Sequence, residues 1–242
     1  MSEASALPDI ASNPDAVLGD TGATWRNGQP PSYRRTREYY EQTKKKTWTG
    51  GSLEDIVSNL VKNWEIEASY KTDYNDWRTV DQGAYTFSCN GGPNVSGPDM
   101  VNVGTYNALL SSSKYYSPEH NSFEGSHKTF KRMMPVFAWE VLEVYSGPPV
   151  VSFRWRHWGE MKMDYVGFND EGKKCRVKAH RGLIDIEGTL VAKVNDKLQI
   201  QSIDVWYDPM SLFHEVTKDG AEVLIEEGTD TPPTPSGCPV AH

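Results

Sequence analysis

The most regular pattern of apolar and polar positions lies between residues 52 and 71 and predicts an amphipathic helix. Apolar side chains recur there at three- and four-residue spacings, at Leu53, Ile56, Val57, Leu60 and Trp64. Ser52 and Asp55 form a variant of the capping box, in which the hydroxyl accepts a first-turn N–H and the acid suits the helix dipole. Shorter helices are predicted at residues 39–46 and 99–113.

Beyond Pro135 the pattern changes to strands separated by short turns. Alternating or continuous apolar runs predict two hairpins, one from residues 136–145 and 150–158 and one from residues 181–194 and 198–207. Helices followed by a long antiparallel meander are typical of an α+β fold, in which helices cover one face of a curved sheet.

Both ends of the chain have a different composition. Residues 1–24 are rich in Ala, Ser, Asp and Gly without periodicity, which predicts a flexible N-terminal arm. Residues 218–242 are acidic and then Pro-rich, which predicts a flexible tail. The chain is therefore expected to fold as one α+β domain over residues 25–217.

Charge and hydropathy exclude several classes of partner. The net charge is −8 and the pI about 5.3, whereas nucleic-acid binding needs a basic face. The basic run around Lys44, Lys45 and Lys46 is interpreted as a solvated segment. No stretch of eighteen apolar residues is present, and residues 1–24 lack the pattern of a signal peptide. We expect a cytoplasmic protein without a membrane or nucleic-acid partner.

Cysteine and histidine spacings do not predict a metal site or a disulfide framework. The three cysteines, Cys89, Cys175 and Cys238, show no paired spacing, although a Cys89–Cys175 bridge stays open. Three histidines that follow no ligand motif are His127, His157 and His180. No metal is therefore expected.

Several segments resemble the pathogen-related family of plants and fungi. They are Trp25-Arg26, Pro30-Pro31-x-Tyr33, Gly51-Ser52-Leu53-Glu54, Asn59-Leu60-Val61-Lys62, Trp64-Glu65, Tyr85-Thr86-Phe87-Ser88, Glu140-Val141-Leu142-Glu143-Val144-Tyr145-Ser146-Gly147-Pro148-Pro149-Val150, Arg156-His157-Trp158-Gly159 and Tyr207-Asp208. Together they span about residues 25–213 in order. That family is similar to the SnoaL-like branch of the nuclear-transport-factor-like superfamily.

The resemblance implies a fold and a range of functions. The fold would be a cone-shaped, strongly bent sheet with helices that enclose a pocket, and no obligate cofactor is implied. Members dehydrate, isomerise or cyclise polyketide- or terpenoid-like molecules, and some guide pericyclic ring closures. Others only bind, which leaves a small-molecule binding protein of stress or defence as the alternative, and an interaction scaffold as a third. An exposed sheet face in this fold implies a possible homodimer.

The last predicted strand carries two candidate catalytic carboxylates. Alternation puts Ser202, Asp204, Trp206 and Asp208 on one face and Ile203, Val205 and Tyr207 on the other. The resemblance implies that Asp208 ends a tryptophan-rich strand and that Asp204 points into the cone, where it could act as general acid or base. The alternative is an Asp204 on a wet outer face and an Asp208 that caps the next turn.

The strand at residues 150–158 offers a third candidate. Phe153, Trp155 and His157 share one face, and Arg154, Arg156 and Trp158 share the other. If the aromatic face lines the pocket, His157 is a natural proton shuttle, because its ordinary pKa lies near 6.5. The opposite face would instead offer Arg156 to a ligand oxyanion or carbonyl.

The remaining candidates have a plain packing role as their alternative. Trp64 is expected in the pocket wall or the core, with Glu65 beside it facing solvent, and Tyr106 is expected to donate to a ligand carbonyl. Asp185 and Glu187 are interpreted as solvated, and Glu187 departs from the family, which tends to have an apolar residue there. The predicted binding set for a hydrophobic, oxygenated ligand is Trp64, Tyr106, Trp155, Arg156, Trp158, Trp206 and Tyr207; Asp204, His157 and Asp208 are the predicted catalytic set.

Overall fold

The computed structural model of the chain describes residues 7–226. The helices are α1 (Asp9–Ser12), α2 (Arg34–Thr43), α3 (Leu53–Tyr70), α4 (Gly97–Val103), α5 (Thr105–Leu109), α6 (Phe123–Met133) and α7 (Met210–Val216). The strands are β1 (Thr86–Cys89), β2 (Val95–Ser96), β3 (Phe137–Ser146), β4 (Val150–Glu160), β5 (Tyr165–Phe168), β6 (Lys174–Val177), β7 (Leu183–Val194), β8 (Ile200–Trp206) and β9 (Val223–Glu226). Short 3-10 helices lie at Ala16–Gly19, Tyr74–Asp76 and Pro118–His120.

The strands form a six-stranded sheet in the order β2-β1-β8-β7-β4-β3 and a three-stranded sheet in the order β5-β6-β9. Pairing in the large sheet is antiparallel except between β1 and β8, which run parallel. Two register shifts in β3, after Val141 and after Val144, are irregularities of the kind that bends a sheet. The predicted α+β class, with a curved sheet and helices that enclose a pocket, is confirmed.

The predicted main helix is α3, and it lies against the inner face of the large sheet. Asp55 donates its backbone N–H to Ser52 Oγ at 3.3 Å, and Gly51 donates its N–H back to the Asp55 carboxylate at 2.9 Å. The first of these two bonds is the predicted capping contact. Both predicted hairpins are also present, as β3–β4 and β7–β8.

The prediction of a flexible N-terminal arm is wrong for residues 7–24. Ile10, Ala11 and Val17 are buried, so this segment belongs to the core. The side chain of Asn63, fully buried in α3, accepts from Val17 N at 3.1 Å and donates to the carbonyls of Ile10 and Asn13 at 3.0 and 2.7 Å. Residues 1–6 lie outside the described part.

Replacing Asn63 by leucine tests this attachment. Asn63→Leu leaves an N–H and carbonyls of the N-terminal segment buried without partners, so we expect the free energy of unfolding to fall by about 2–4 kcal/mol. Urea unfolding measures it. The matched control is Asn94→Leu at an exposed loop position, with an expected change within about 0.5 kcal/mol. A loss below about 1 kcal/mol for Asn63→Leu would contradict the assigned role of the amide.

Part of the predicted flexible tail is also ordered. Residues 223–226 form β9, which pairs antiparallel with β6, and residues 227–242 lie outside the described range. Cys89 and Cys175 are both free thiols, which answers the question of a bridge between them, and Cys238 lies beyond the described residues. Between residues 7 and 226 no helix is long and apolar enough to cross a membrane.

Candidate functional site

A cavity of about 290 Å³ lies between α3 and the inner face of the large sheet. This volume is near the small end of the roughly 300–1,000 Å³ that is usual for ligand pockets. Strand side chains form its apolar base, among them Phe87, Phe137, Trp139, Ile186, Leu190 and Val205. Helix α3 supplies polar groups of its wall, among them Lys62 and Glu65, and α2, α5 and α6 supply others.

Several of the predicted site residues line this cavity: Trp64, Tyr106, Trp155, His157 and Tyr207. The aromatic face of β4 therefore points inward, which is one of the two arrangements that alternation left open. Their placement makes a ligand role possible, and that role stays a prediction.

The tryptophans are fixed by their neighbours. Trp64 donates its indole N–H to Tyr85 Oη at 3.0 Å and stacks on Phe87 at a centroid distance of 5.9 Å. Trp155 lies against Gly188 on the neighbouring strand, where an added Cβ would stand 2.4 Å from the indole. Any side chain at position 188 would clash with Trp155 and with Cβ of Tyr207, so the glycine allows both cavity residues their present positions.

The two tyrosines differ in their hydrogen bonding. Tyr207 donates its hydroxyl to the carbonyl of Leu109 at 2.8 Å, which favours the packing alternative for that residue. The Tyr106 ring stacks on Phe130 at 4.5 Å, and its hydroxyl has no hydrogen-bond partner among the described residues. Burial, and secondly the charge of Glu65, raises the pKa of Tyr106 well above its ordinary value. The phenol therefore stays protonated and can donate to a ligand.

His157 lies in the cavity wall as a neutral ring. Its ring centroid is 3.3 Å from that of Phe137, and burial lowers the pKa of His157 to about 3. A histidine with this pKa does not change charge near neutral pH, so the proton-shuttle role expected from a pKa near 6.5 is disfavoured. As a neutral imidazole it can still form a hydrogen bond with a ligand.

The predicted inward position of Asp204 is wrong. On β8 it is Val205 and Tyr207 that line the cavity, while Asp204 accepts a hydrogen bond from Ser88 Oγ at 2.5 Å, on the other face. Trp206 shares that outer face and is 49% exposed, so it does not bind a ligand in this cavity. The exposed Asp208 accepts from Met210 N at 2.9 Å at the start of α7, which is the capping alternative.

Arg156 and Trp158 also lie outside the cavity, because they occupy the face of β4 opposite Trp155. Arg156 donates to Glu140 at 2.9 Å and to both oxygens of Asp185 at 2.8 and 3.0 Å. Trp158 is fully buried beside Tyr40 and donates to Thr43 Oγ1 at 2.9 Å. Both residues fasten α2 and the following loop to the sheet, which corrects their predicted ligand role.

Glu65 is the functional candidate that the sequence analysis misplaced. Instead of facing solvent it lines the cavity, where it accepts from Tyr33 Oη at 2.6 Å and from Ser69 Oγ at 3.2 Å. It is the one carboxylate among the described residues of the cavity wall. The helical spacing could have indicated this inward position, since Glu65 directly follows Trp64 at the border of the apolar stripe.

Two lysines complete the polar wall. The Lys131 ammonium group contacts the Tyr70 hydroxyl and lies 4.2 Å from the centre of that ring. Lys62 lies 4.0 Å from the centre of the Tyr40 ring, and burial is the main cause that lowers the pKa of Lys62 to about 8. The polar side of the cavity thus combines amines, phenols and one carboxylate.

His127, which stacks on Phe123 and meets Tyr106 edge to face, gives a pH prediction. Burial, aided by the charges of Lys131 and Arg26, lowers the pKa of His127 to about 3, so only the unfolded chain gains its proton between pH 6.5 and 3. The buried neutral imidazole therefore costs the folded state no stability above pH 6.5, whereas the free energy of unfolding falls as the pH falls from 6.5 toward 3. We expect His127→Phe to reduce the loss of unfolding free energy between pH 7 and pH 5 by about 2 kcal/mol. Urea unfolding at both pH values checks it, and an unchanged pH dependence would contradict it.

No family model matches the chain. A pathogen-related protein from Hordeum vulgare is 31% identical over 198 residues, which cover 78% of this chain and 80% of that protein. Among solved structures, a SnoaL-like polyketide cyclase homologue from Jannaschia sp. CCS1 gives a TM-score of 0.40 at 11% identity, covering 71% of this chain and 99% of that one. A protein with a ketosteroid isomerase-like fold from Catenulispora acidiphila gives 0.37 at 11% identity, with 65% and 91% covered. On the identity and coverage of the Hordeum sequence, the chain belongs to the pathogen-related protein family.

Proposed function

We propose that the chain binds a hydrophobic, oxygenated small molecule in its cavity and catalyses a proton transfer on it. The reaction would be a dehydration, an isomerisation or a ring closure of a polyketide- or terpenoid-like compound. Glu65 would accept the proton, and the aromatic base of the cavity would hold the substrate in a reactive shape.

The position of Glu65 carries the proposal. A carboxylate in the wall of a largely apolar cavity is well suited to act as general base, because little water competes for its charge. Tyr33 Oη, at 2.6 Å, can return or relay the proton along the hydrogen bond that it already makes. No other carboxylate of residues 7–226 lines the cavity.

Tyr106 supports the proposal as a hydrogen-bond donor to an oxygen atom of the substrate. Its hydroxyl lines the cavity without a partner among the described residues, and its raised pKa keeps the proton on the phenol. A fixed donor of this kind stabilises negative charge that develops on a carbonyl or hydroxyl oxygen during proton transfer. Glu65 and Tyr106 would therefore act as base and oxyanion donor.

The alternative function is binding without chemistry. Both oxygens of Glu65 already accept hydrogen bonds, from Tyr33 and from Ser69, and this is also how a carboxylate with a purely structural role is held. In that case the cavity would carry or sense its ligand and release it unchanged.

Incubation of the purified chain with a metabolite extract of the source organism separates the two. We expect one compound to be consumed, with a product of equal mass or lighter by one water, as recorded by mass spectrometry. A compound that is bound and then released unchanged would overturn catalysis and leave the binding function. If the chain neither binds nor changes any compound of the extract, both the catalytic and the binding function would be overturned.

A further inference from the structure

Lys62 is a buried amine without a counter-charge. It lies on α3 in the cavity wall and is only 9% exposed. No carboxylate of the described chain lies within 4 Å of its Nζ, and no hydrogen bond to that nitrogen is present there. Its contact is the face of the Tyr40 ring, at 4.0 Å from the ring centre. A buried ammonium group in such surroundings is costly, so burial shifts the protonation equilibrium of Lys62 toward the neutral amine.

The charged groups around Lys62 are engaged with one another. Arg37 in α2 binds Asp15 at 2.7 Å, and Lys44 just after α2 binds Glu41 at 2.6 Å, so neither acid is free to hold the Lys62 amine. Burial first, and the charge of Arg37 second, lower the pKa of Lys62 to about 8. About a tenth of the amine is therefore neutral at pH 7, far more than for an ordinary lysine.

Proton-transfer groups stand one turn along the same helix. Glu65 follows Lys62 at i+3 on α3, lines the same cavity and accepts from Tyr33. Lys131, the other lysine of the cavity wall, is bound to the Tyr70 hydroxyl. Lys62 therefore combines access to the cavity, lack of a partner and a nearby proton carrier.

We infer that Lys62 is a covalent capture site for an aldehyde or ketone, with which it forms an imine. The neutral amine attacks the carbonyl carbon, a C–N bond forms, and the carbonyl oxygen takes up a proton. That proton and a second one both come from the amine nitrogen, relayed through Glu65 and Tyr33, so the oxygen leaves as water and the C=N bond remains. Neither oxidant nor reductant is consumed. This inference rests on the proposed function and narrows its ligand to a carbonyl compound.

The probe for this site is 2-naphthaldehyde, an aromatic carbonyl compound suited to an apolar cavity, with sodium cyanoborohydride to reduce the imine to a stable amine. Peptide mass mapping after a time course locates the naphthylmethyl group. We expect labelling at Lys62 at least tenfold faster than at the exposed Lys197, and faster at pH 8 than at pH 7. Labelling of Lys62 no faster than of Lys197 would overturn the inference.

Matched variants guard against loss of folding. Lys62→Met and the charge-retaining Lys62→Arg should both lose the fast label, whereas Lys197→Met should keep it. Undiminished fast labelling in both Lys62 variants would overturn the assignment.

Quenching of tryptophan fluorescence by the probe, before reductant is added, separates the two proposals. Binding without fast labelling would overturn the imine and leave the proposed cavity function intact. Fast labelling of Lys62 in a chain that leaves every extract compound unchanged would support capture and overturn the proposed proton transfer.

Discussion

Replacing Glu65 by glutamine is expected to lower turnover of the cavity's substrate by about 10²–10⁴-fold, the usual contribution of a general acid or base. The amide keeps the size of the side chain and can still accept from Tyr33 at the position now occupied at 2.6 Å. It cannot take up a proton, so kcat should fall while Kd for the same compound changes only a few-fold. Steady-state kinetics and equilibrium binding on the compound identified in the extract measure both.

Asp204→Asn is the matched control for this experiment. It makes the same chemical change on the outer face of β8, where Asp204 accepts from Ser88 at 2.5 Å. We expect kcat within about twofold of the original chain, since the effect of general base catalysis requires reach to the substrate. If Asp204→Asn abolished turnover and Glu65→Gln did not, the assignment of the base would be reversed.

Replacing Arg156 by methionine is expected to lower the free energy of unfolding by about 3–5 kcal/mol. The change leaves Glu140, which is 1% exposed, without the guanidinium group that neutralises it. The backbone N–H groups of Lys45 and Lys46 still donate to Glu140, but they bring no full charge. Urea or thermal unfolding measures the loss.

A double variant shows whether the loss of stability in Arg156→Met comes from the unpaired, buried charge of Glu140. Glu140→Leu combined with Arg156→Met removes both ions, and breaking one partner of a buried pair usually costs more than replacing both. The double variant should therefore be more stable than Arg156→Met alone. Ligand affinity of the folded double variant should stay within a few-fold, because neither side chain lines the cavity. A large loss of affinity at unchanged stability would restore Arg156 as a ligand-binding residue.

The elements that sequence reasoning predicted well are those with long periodic patterns. The stripe from Leu53 to Trp64 defines α3, and the strand alternations beyond Pro135 define both hairpins. The small sheet was not predicted, since its strands are only four residues long and depend on pairing with distant segments. Helix α6 was not predicted either. The N-terminal segment was assigned as flexible because its attachment depends on contacts with distant residues, among them the buried amides of Asn59 and Asn63 and the ion pair of Arg78 with Asp9, which leave no periodic signal.

For the site, alternation showed which side chains share a face but not which face is covered. Trp155 on one face of β4 and Arg156 and Trp158 on the other are all buried, so alternation left both His157 and Arg156 open until α2 was seen to cover the outer face. On β8 the polar face with Asp204 was assigned inward by resemblance, whereas the cavity takes the apolar face with Val205. Glu65 was expected to face solvent because apolar spacing alone does not distinguish a helix beside a cavity from a helix beside a solid core.

The most direct test of the cavity as the functional site is to fill it with a larger side chain on β8. Val205→Phe inserts a ring into the cavity, and Ser202→Phe inserts the same ring on the outer face of β8. Native mass spectrometry of each folded variant in the extract, together with turnover, is the measurement. We predict that Val205→Phe loses both the bound compound and its conversion, while Ser202→Phe retains both. Equal binding and conversion by the two variants would contradict the account, because the ligand would then have to bind elsewhere on the protein.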